Sequence, residues 1–206
     1  MSKKTEQEEI KVILVGEAGT GKTSLINTSI GMEFKDFLPS SATNSFAPKE
    51  IKIDGKKYIL NLWDTIGQEQ FRSLTKIFIK DSKIVIFVYD ITNYKSFEEV
   101  DFWLNTVKEI LGDTAIFGLA GNKKDLFQNE KVIEEEGEKK AADNGAIFKL
   151  TSAKTGAGIN DFMQSLLEKY VQKYKIKDNN DDKEDRGQRL DSSFHTLYNK
   201  KKSKCC

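Results

Sequence analysis

A glycine-rich octapeptide, Gly16-Glu17-Ala18-Gly19-Thr20-Gly21-Lys22-Thr23, has the residue types and spacing of a phosphate-binding loop (P-loop). It follows the apolar run 10–15, so the sequence predicts a strand that turns through the loop into a helix. The glycines let consecutive backbone N–H groups converge on an anion, and the start of the helix adds its positive dipole end. Lys22 would supply a charge for the β- and γ-phosphates, and the Thr23 hydroxyl would ligate Mg²⁺. A chance glycine turn is the alternative, and the position between strand and helix argues against it.

A second group of candidate residues lies at positions 63–69, where another predicted strand ends. Asp64 matches the strand-end carboxylate that holds Mg²⁺ in P-loop NTPases, usually through water. Gly67 leaves room for a backbone N–H to approach a γ-phosphate, and Gln68 would orient an attacking water. The pattern is common by itself, but after a P-loop it indicates a nucleoside triphosphate site.

Two further segments indicate which base is bound. The first is Asn122-Lys123-Lys124-Asp125, in which the Asp125 carboxylate would accept hydrogen bonds from guanine N1–H and the N2 amine. Adenine offers no such pair of donors, so an unpaired charge would disfavour it. Lys123 would lay its stem over the base, and the loop Thr151-Ser152-Ala153-Lys154 would offer a backbone N–H to guanine O6. Each segment alone fits a surface loop, but all four follow in order at predicted strand ends, where open α/β sheets bind ligands.

The elements that must position these residues alternate between strand-like and helix-like runs. Strands are predicted at 10–15, 46–53, 57–63, 84–89, 115–120 and 146–150, with an Asp54-Gly55 hairpin turn between the second and third. Helices are predicted from near 21 and at 96–111, 132–144 and 159–174. The fold class is therefore α/β. We expect a three-layer P-loop NTPase fold, with about five helices and a six-stranded, mostly parallel sheet that has one antiparallel edge strand.

Composition narrows the function classes. The 33 lysine and arginine residues nearly balance 32 acidic residues, and no basic stripe is interleaved with aromatics, so no nucleic-acid partner is expected. Residues 1–9 are charged and lack a signal segment, and no apolar run reaches the length of a membrane span. Both cysteines, Cys205 and Cys206, are adjacent, so they make a poor structural disulfide and could not staple a core. We therefore expect a cytoplasmic protein. We also expect a monomer.

On these motifs the sequence resembles the small GTPases of the Ras superfamily over about residues 10–175. The Rab branch fits best, because residues 63–75, 88–92 and 121–126 are similar to Rab motifs. The resemblance implies an N-terminal extension at 1–9, a GTPase domain at 10–175 and a flexible tail at 176–206 with a Cys-Cys prenylation site. It also implies a GTP/GDP switch in vesicle traffic that hydrolyses GTP slowly and cycles between the cytoplasm and the cytoplasmic face of intracellular membranes.

The resemblance also assigns residues and partners. Phe34 would pack edge-on against guanine, and Phe46, Trp63 and Phe78 would help to form an effector surface, with core packing as an equal alternative for Trp63 and Phe78. Expected partners are an exchange factor, a GTPase-activating protein, a GDP-dissociation inhibitor and effectors. The catalytic residues would be Gln68 and Lys22, and the metal ligands Thr23, Ser41 and Asp64. Nucleotide contacts would come from residues 16–24, Phe34, Ser41, Asp64, Gly67, Asn122, Lys123, Asp125, Leu126, Ser152, Ala153 and Lys154, and so include Ser24.

The chain departs from the family pattern at several positions, including Ala42 and Thr43, where the family has Ile-Gly. Ser41 stands where the family has its Mg²⁺-ligating threonine, and Thr43 could take that role only after a local shift. Ile66 replaces the usual alanine beside the γ-phosphate, and Gln70 replaces an arginine. Slower hydrolysis than in typical relatives is therefore a hypothesis. A hydrolysis-impaired GTP-binding scaffold is one alternative function, and a P-loop kinase, which would lack a reason for guanine selection, is another.

Overall fold

The computed structural model of the protein describes residues 7–35, 46–65 and 78–174, and six strands within them form a single sheet. The strands are β1 (Glu8–Val15), β2 (Phe46–Ile53), β3 (Lys56–Asp64), β4 (Ile84–Asp90), β5 (Ile116–Asn122) and β6 (Ile147–Leu150). Their order across the sheet is β2-β3-β1-β4-β5-β6. β2 is antiparallel to β3, and every other neighbouring pair is parallel. The predicted sheet, mostly parallel with one antiparallel edge strand, is confirmed.

Helices connect the parallel strands, as parallel pairing requires. The α-helices whose bounds lie within the described ranges are α1 (Lys22–Ser29), α2 (Tyr94–Leu111), α3 (Glu134–Asp143) and α4 (159–174), and a short 3₁₀ helix spans Lys124–Asn129. α2 joins β4 to β5, and α3 lies between β5 and β6. Within the part of the chain that the structure describes, no helix is long and apolar enough to cross a membrane.

The chain divides into two units, Met1–Glu168 and Lys169–Cys206. The first contains the sheet, α1 to α3 and the first turns of α4. In the second, the described residues are 169–174, where the rings of Tyr170 and Tyr174 lie 4.6 Å apart.

The core of the first unit forms around the central strands. Every residue of β4 and β5 is buried, which is typical of parallel strands that are covered on both faces. One face of α2 packs into this core through Phe97, Val100, Trp103, Leu104 and Val107, the face that the helical spacing predicts. The continuous apolar runs of the sequence therefore became buried strands.

The turn of the β2–β3 hairpin has the backbone conformation that its two residues, Asp54 and Gly55, predict. Asp54 and Gly55 have φ values of 49° and 77°, which a two-residue hairpin turn of the type I′ class requires. Ile53 and Lys56 pair directly on either side of them. The predicted Asp54-Gly55 turn is confirmed.

Two predicted helix starts were wrong by a short distance. α2 begins at Tyr94 rather than Ser96, and Ser96 lies inside its first turn, where its hydroxyl donates to Asn93 O at 2.7 Å and accepts from Asp90 N–H at 3.0 Å. α3 begins at Glu134 rather than Val132, because the Val132 side chain is fully buried and its N–H donates to Ile91 O at 3.1 Å. Both errors come from residues that bond back to the end of β4.

Tyr89 is a buried polar residue in the middle of this core. Its side chain is fully buried, and its hydroxyl has no hydrogen-bond partner among the described residues. Gly121 and Gly137 leave room for it, since a Cβ on either would lie 2.7 and 2.6 Å from the hydroxyl oxygen. Burial raises the pKa of Tyr89, and the negative charges of nearby glutamates add to the increase.

We therefore predict that Tyr89→Phe leaves the free energy of unfolding unchanged or raises it by up to about 1 kcal/mol at neutral pH, because an orphaned hydroxyl is removed. Above the ordinary tyrosine pKa of 10.0, unfolded Tyr89 loses its proton while folded Tyr89 keeps it, so wild-type stability falls as pH rises. The variant should lose less stability than the wild type between neutral pH and about pH 11. Urea denaturation at both pH values measures this.

Tyr94→Phe removes a tyrosine hydroxyl at an exposed position, and this variant serves as the neutral-pH control. Strong destabilisation by Tyr89→Phe would contradict the prediction and show that the hydroxyl makes a favourable interaction.

Candidate nucleotide-binding site

The P-loop lies where β1 meets α1, as predicted. Gly16 is buried against the neighbouring strand β4, and a Cβ there would lie 2.1 Å from the Val88 carbonyl oxygen. Gly21 is equally confined, with φ of 93° and a would-be Cβ 2.4 Å from Asn122 Nδ2. Ala18 and Gly19 between them are exposed. The loop is therefore fixed at both ends and open at its middle, where an anion would enter.

Lys22 lies inside the loop that it serves. Its side chain is buried, and its ammonium donates to the carbonyl oxygens of Gly16 and Glu17, each at 2.9 Å. The Thr20 hydroxyl also donates to Glu17 O, at 2.9 Å. The two Lys22 bonds hold the ammonium against the backbone of the loop. Together with the backbone N–H groups of the loop, this charge would make an anion site.

The predicted metal ligands lie on neighbouring elements. Thr23 is half-buried in the first turn of α1. Asp64 is 2% exposed and ends β3, where it pairs with Leu14 near the end of β1. The next residue, Thr65, donates its hydroxyl to Leu14 O at 2.9 Å. The Asp64 carboxylate therefore lies at the end of β3, beside the end of β1 where the loop begins, and the Thr23 hydroxyl lies in the helix that follows the loop.

Asn122 joins the P-loop to the loops that are predicted to bind the base. Its side chain is 1% exposed, and Nδ2 donates to Thr20 O at 2.8 Å. Its Oδ1 accepts from the Thr151 hydroxyl at 3.3 Å and from Ala153 N–H at 3.2 Å. One amide group thus bonds to the P-loop and to the loop that follows β6. Sequence reasoning placed Asn122 in the site but gave it no such role.

Asp125, the predicted guanine-binding carboxylate, is oriented by the loop after β6. The Ser152 hydroxyl donates to Asp125 Oδ1 at 2.5 Å and accepts from Thr155 N–H at 3.1 Å. Lys124 N–H donates to Thr151 O at 3.0 Å, which holds the two loops together. The third and fourth predicted motifs therefore lie in direct contact.

The predicted backbone donor to guanine O6 stays a prediction. In this structure Ser152 N–H donates to Ala157 O at 3.0 Å, and Ala153 N–H donates to Asn122. Lys154, the last residue of the predicted loop motif, and Leu126, inside the 3₁₀ helix, are both exposed.

Lys123 has a partner that the sequence did not reveal. Its ammonium lies 2.6 Å from Asp90 Oδ2, at the end of the neighbouring strand β4. The only sequence signal for this pair is that Asp90 ends an apolar run, within the segment 88–92 that is similar to a Rab motif.

The predicted aromatic residues fall into three environments. Phe34 is half-buried and lines a small pocket with Ser24 and Met32. Phe46 is 48% exposed, and its ring lies 5.1 Å from that of Trp63. Phe78 is partly buried and packs against the core. The structure thus brings Phe46 and Trp63 together at the surface and places Phe78 at the edge of the core.

Comparison with known proteins agrees with this geometry. A sequence model of the Ras family matches residues 11–172. The chain belongs to the Ras family. It is also 37% identical over 170 residues to the Ras-related protein Rab-26 of Bos taurus. That alignment covers 80% of this chain, and the chain spans 64% of the relative's length. The family match confirms the predicted membership of the Ras superfamily, and the similarity to Rab-26 agrees with the predicted Rab branch.

Several predicted residues of this Ras-family chain lie outside the described residues. They are Ser41, Thr43, Ile66, Gly67, Gln68, Gln70, Cys205 and Cys206. Their roles stay predictions from the sequence.

Two glycines of the P-loop allow a matched test of the Asn122 contact. Gly19 and Gly21 both have positive φ, at 77° and 93°, but a Cβ at Gly19 meets no atom within 4 Å. Backbone strain is therefore similar in the two alanine variants, whereas only Gly21→Ala displaces the Asn122 amide. We predict that Gly21→Ala lowers the free energy of unfolding by about 2 kcal/mol more than Gly19→Ala does. Denaturant unfolding of both variants measures the difference, and equal losses would contradict a structural role for this contact.

Proposed function

We propose that this chain is a guanine-nucleotide switch, which binds GTP and GDP and hydrolyses GTP slowly. The observation that carries the proposal is the Asn122 amide, which ties Thr20 of the P-loop to the Thr151 hydroxyl and the Ala153 N–H, in the loop that contacts Asp125. A phosphate cradle and a base-selecting carboxylate are thereby fixed relative to each other. Such an arrangement fits a nucleotide whose base and phosphates are recognised together.

Guanine is the base that the carboxylate favours. Asp125 would accept from N1–H and the N2 amine, and the Ser152 hydroxyl fixes one of its oxygens for this task. Adenine presents no such donor pair at that edge, so it would leave the carboxylate desolvated and unpaired.

Magnesium fits the donors beside the P-loop. Thr23 and Asp64 supply the hard oxygen ligands that Mg²⁺ prefers, and Ser41 would add a third from outside the described residues. Within the described ranges, no group of three or more histidine, cysteine or acidic residues could hold a metal alone. The ion would therefore depend on nucleotide phosphates as well, and when bound it would neutralise charge on them.

Hydrolysis would depend mainly on positioning. The buried Lys22 ammonium would stabilise charge on the β- and γ-phosphates, and Gln68 would orient the attacking water. The interval between the P-loop and Asp64 leaves no room for an inserted domain that could carry an arginine finger in cis. An activating protein would therefore complete the site in trans, and the intrinsic rate would be slow.

Exchanging the base-selecting group tests the proposal. In Asp125→Asn, the amide would donate to the C2 carbonyl of xanthine and could no longer accept two guanine hydrogen bonds. We predict that GDP binding weakens by about 100-fold or more and that binding of xanthosine diphosphate improves, because the hydrogen-bond pattern is inverted. Calorimetric titration with GDP, xanthosine diphosphate and ADP measures both changes.

Asp101→Asn is the matched control, since it makes the same change in an ion pair with Lys140 at 2.7 Å on α2 and α3. Wild-type protein that binds ADP as tightly as GDP, or an Asp125→Asn variant with unchanged preference, would contradict the proposal.

Ile66 allows a test of the hydrolysis rate. If its bulk opposes closure beside the γ-phosphate, Ile66→Ala should speed single-turnover GTP hydrolysis by up to about tenfold, equivalent to about 1.4 kcal/mol of barrier. GTP affinity serves as the control and should change little. An unchanged rate would dispose of the hypothesis that Ile66 slows hydrolysis.

The wider role that we propose is membrane recruitment in vesicle traffic, in the manner of Rab proteins. Cys205 and Cys206 would carry prenyl groups, and the lysine-rich segment before them would add attraction to an anionic leaflet. The chain would cycle between the cytoplasm and the cytoplasmic face of intracellular membranes. Residues 10–175 would form the GTPase domain, preceded by an extension at 1–9 and followed by a tail at 176–206.

Regulators and effectors would act on the nucleotide state. An exchange factor, an activating protein and a GDP-dissociation inhibitor are expected of such a cycle, together with effectors that recognise one state. Phe78 of the proposed effector surface packs against the core, whereas the exposed Phe46 ring lies against Trp63. Both residues lie on the hairpin strands that flank the segments expected to respond to the γ-phosphate.

A further inference from the structure

The Asp90 carboxylate is fixed in place by its own turn. Oδ1 accepts from Thr92 N–H at 2.8 Å and from the Thr92 hydroxyl at 2.7 Å. The Asp90 backbone N–H donates to the Ser96 hydroxyl at 3.0 Å, which anchors the residue to the first turn of α2. The second oxygen, Oδ2, is thereby aimed at Lys123 Nζ, 2.6 Å away. A carboxylate so restrained loses little conformational entropy when it pairs with a cation.

The Lys123 backbone is equally fixed. It has a φ of 69° and a ψ of 35°, a left-handed conformation that is uncommon for residues other than glycine. The residues on either side are bonded, because Asn122 O accepts from Ile91 N–H at 3.1 Å and Lys124 N–H donates to Thr151 O at 3.0 Å. With its main chain held, the direction of the Lys123 side chain depends on where the ammonium is bound. The free side chain would otherwise sample many rotamers.

The ion pair connects the ends of two neighbouring strands. Asp90 and Asn122 are paired in the parallel register of β4 and β5, so Lys123 follows directly after Asp90's partner. The side chain of Asp90 is 10% exposed and that of Lys123 is 32% exposed, so solvent screens the pair only in part. The methylene stem of Lys123 therefore runs from the base-binding loop to a fixed carboxylate.

We propose that Asp90 is a positioning residue for the nucleotide base. It would hold the Lys123 ammonium so that the lysine stem forms a fixed wall against the face of the base. This inference rests on the proposed function, since it needs guanine beside Asp125. It gives Asp90 a part in nucleotide retention without contact with the nucleotide. Because the stem meets a face and not an edge, Asp90 would strengthen binding without choosing between purines that differ in edge groups.

Asp90→Asn is the informative variant. The amide keeps an oxygen for Thr92 and nearly the same shape, but it removes the charge that holds Lys123. We expect ribose-labelled fluorescent GDP to dissociate about tenfold faster, a loss typical of a hydrogen bond to a charged group. Inosine diphosphate, which lacks the N2 amine that Asp125 would bind, should dissociate faster by the same factor. Asp101→Asn removes the charge from the Lys140 pair and should leave both rates unchanged.

A double-variant cycle distinguishes positioning from a general effect on folding. Lys123→Met removes the ammonium from the other side while it keeps an unbranched stem. If Asp90 acts through Lys123, Asp90→Asn should cause no further acceleration in the Lys123→Met background. Full additivity of the two effects would overturn the proposal. So would a rate for Asp90→Asn within twofold of the wild type, or a larger effect on GDP than on inosine diphosphate.

Failure of the proposed function gives a different result. Wild-type protein that retains no labelled GDP would contradict the nucleotide site itself, and the positioning role with it. Wild-type retention together with unchanged Asp90→Asn kinetics would contradict the positioning role alone. If Asp90→Asn does not fold, the Lys123→Met variant still decides, because loss of the ammonium must then accelerate GDP and inosine diphosphate release equally.

Discussion

The Asn122 side-chain amide is the interaction on which the rest of the site depends. It is buried at the end of β5 and bonds to the P-loop on one side and to the loop after β6 on the other. An unpaired buried amide costs roughly 1–3 kcal/mol for each polar atom, so the two loops are strongly constrained to stay together. Position 21 is a glycine, and a side chain there would occupy the space of this amide.

The rest of the site follows from parallel strand order. β1, β4 and β5 are neighbours, so the P-loop, Asp90 and the Asn122–Asp125 segment emerge at one edge of the sheet. Burial of β4 brings its Val88 carbonyl against Gly16, which fixes the start of the P-loop. The candidate phosphate-binding and base-binding segments are thus placed by the packing of the core, and their residues would need only short loops to reach a ligand.

The strand and helix plan could be predicted because it rests on local patterns: continuous apolar runs, helical spacing on α2, and the Asp54-Gly55 turn. The candidate site residues were likewise predicted from motif spacing. The contacts among them were not, because they join residues far apart in sequence. Asn122 reaches Thr20, Ser152 reaches Asp125, and Asp90 reaches Lys123. The two helix starts were misplaced for the same reason, since Ser96 and Val132 are bonded to residues around the end of β4.

Calorimetric titration of the Asn122→Ala variant with GDP tests the central claim most directly. If this amide fixes the phosphate cradle relative to the base pocket, GDP affinity should fall by about 100-fold or more, equivalent to about 2.7 kcal/mol, in protein that circular dichroism shows to be folded. Asn144→Ala removes an amide that bonds to Lys140 and Lys108 on the helices, and it should leave affinity unchanged. A folded Asn122→Ala variant with GDP affinity within threefold of the wild type would contradict the account.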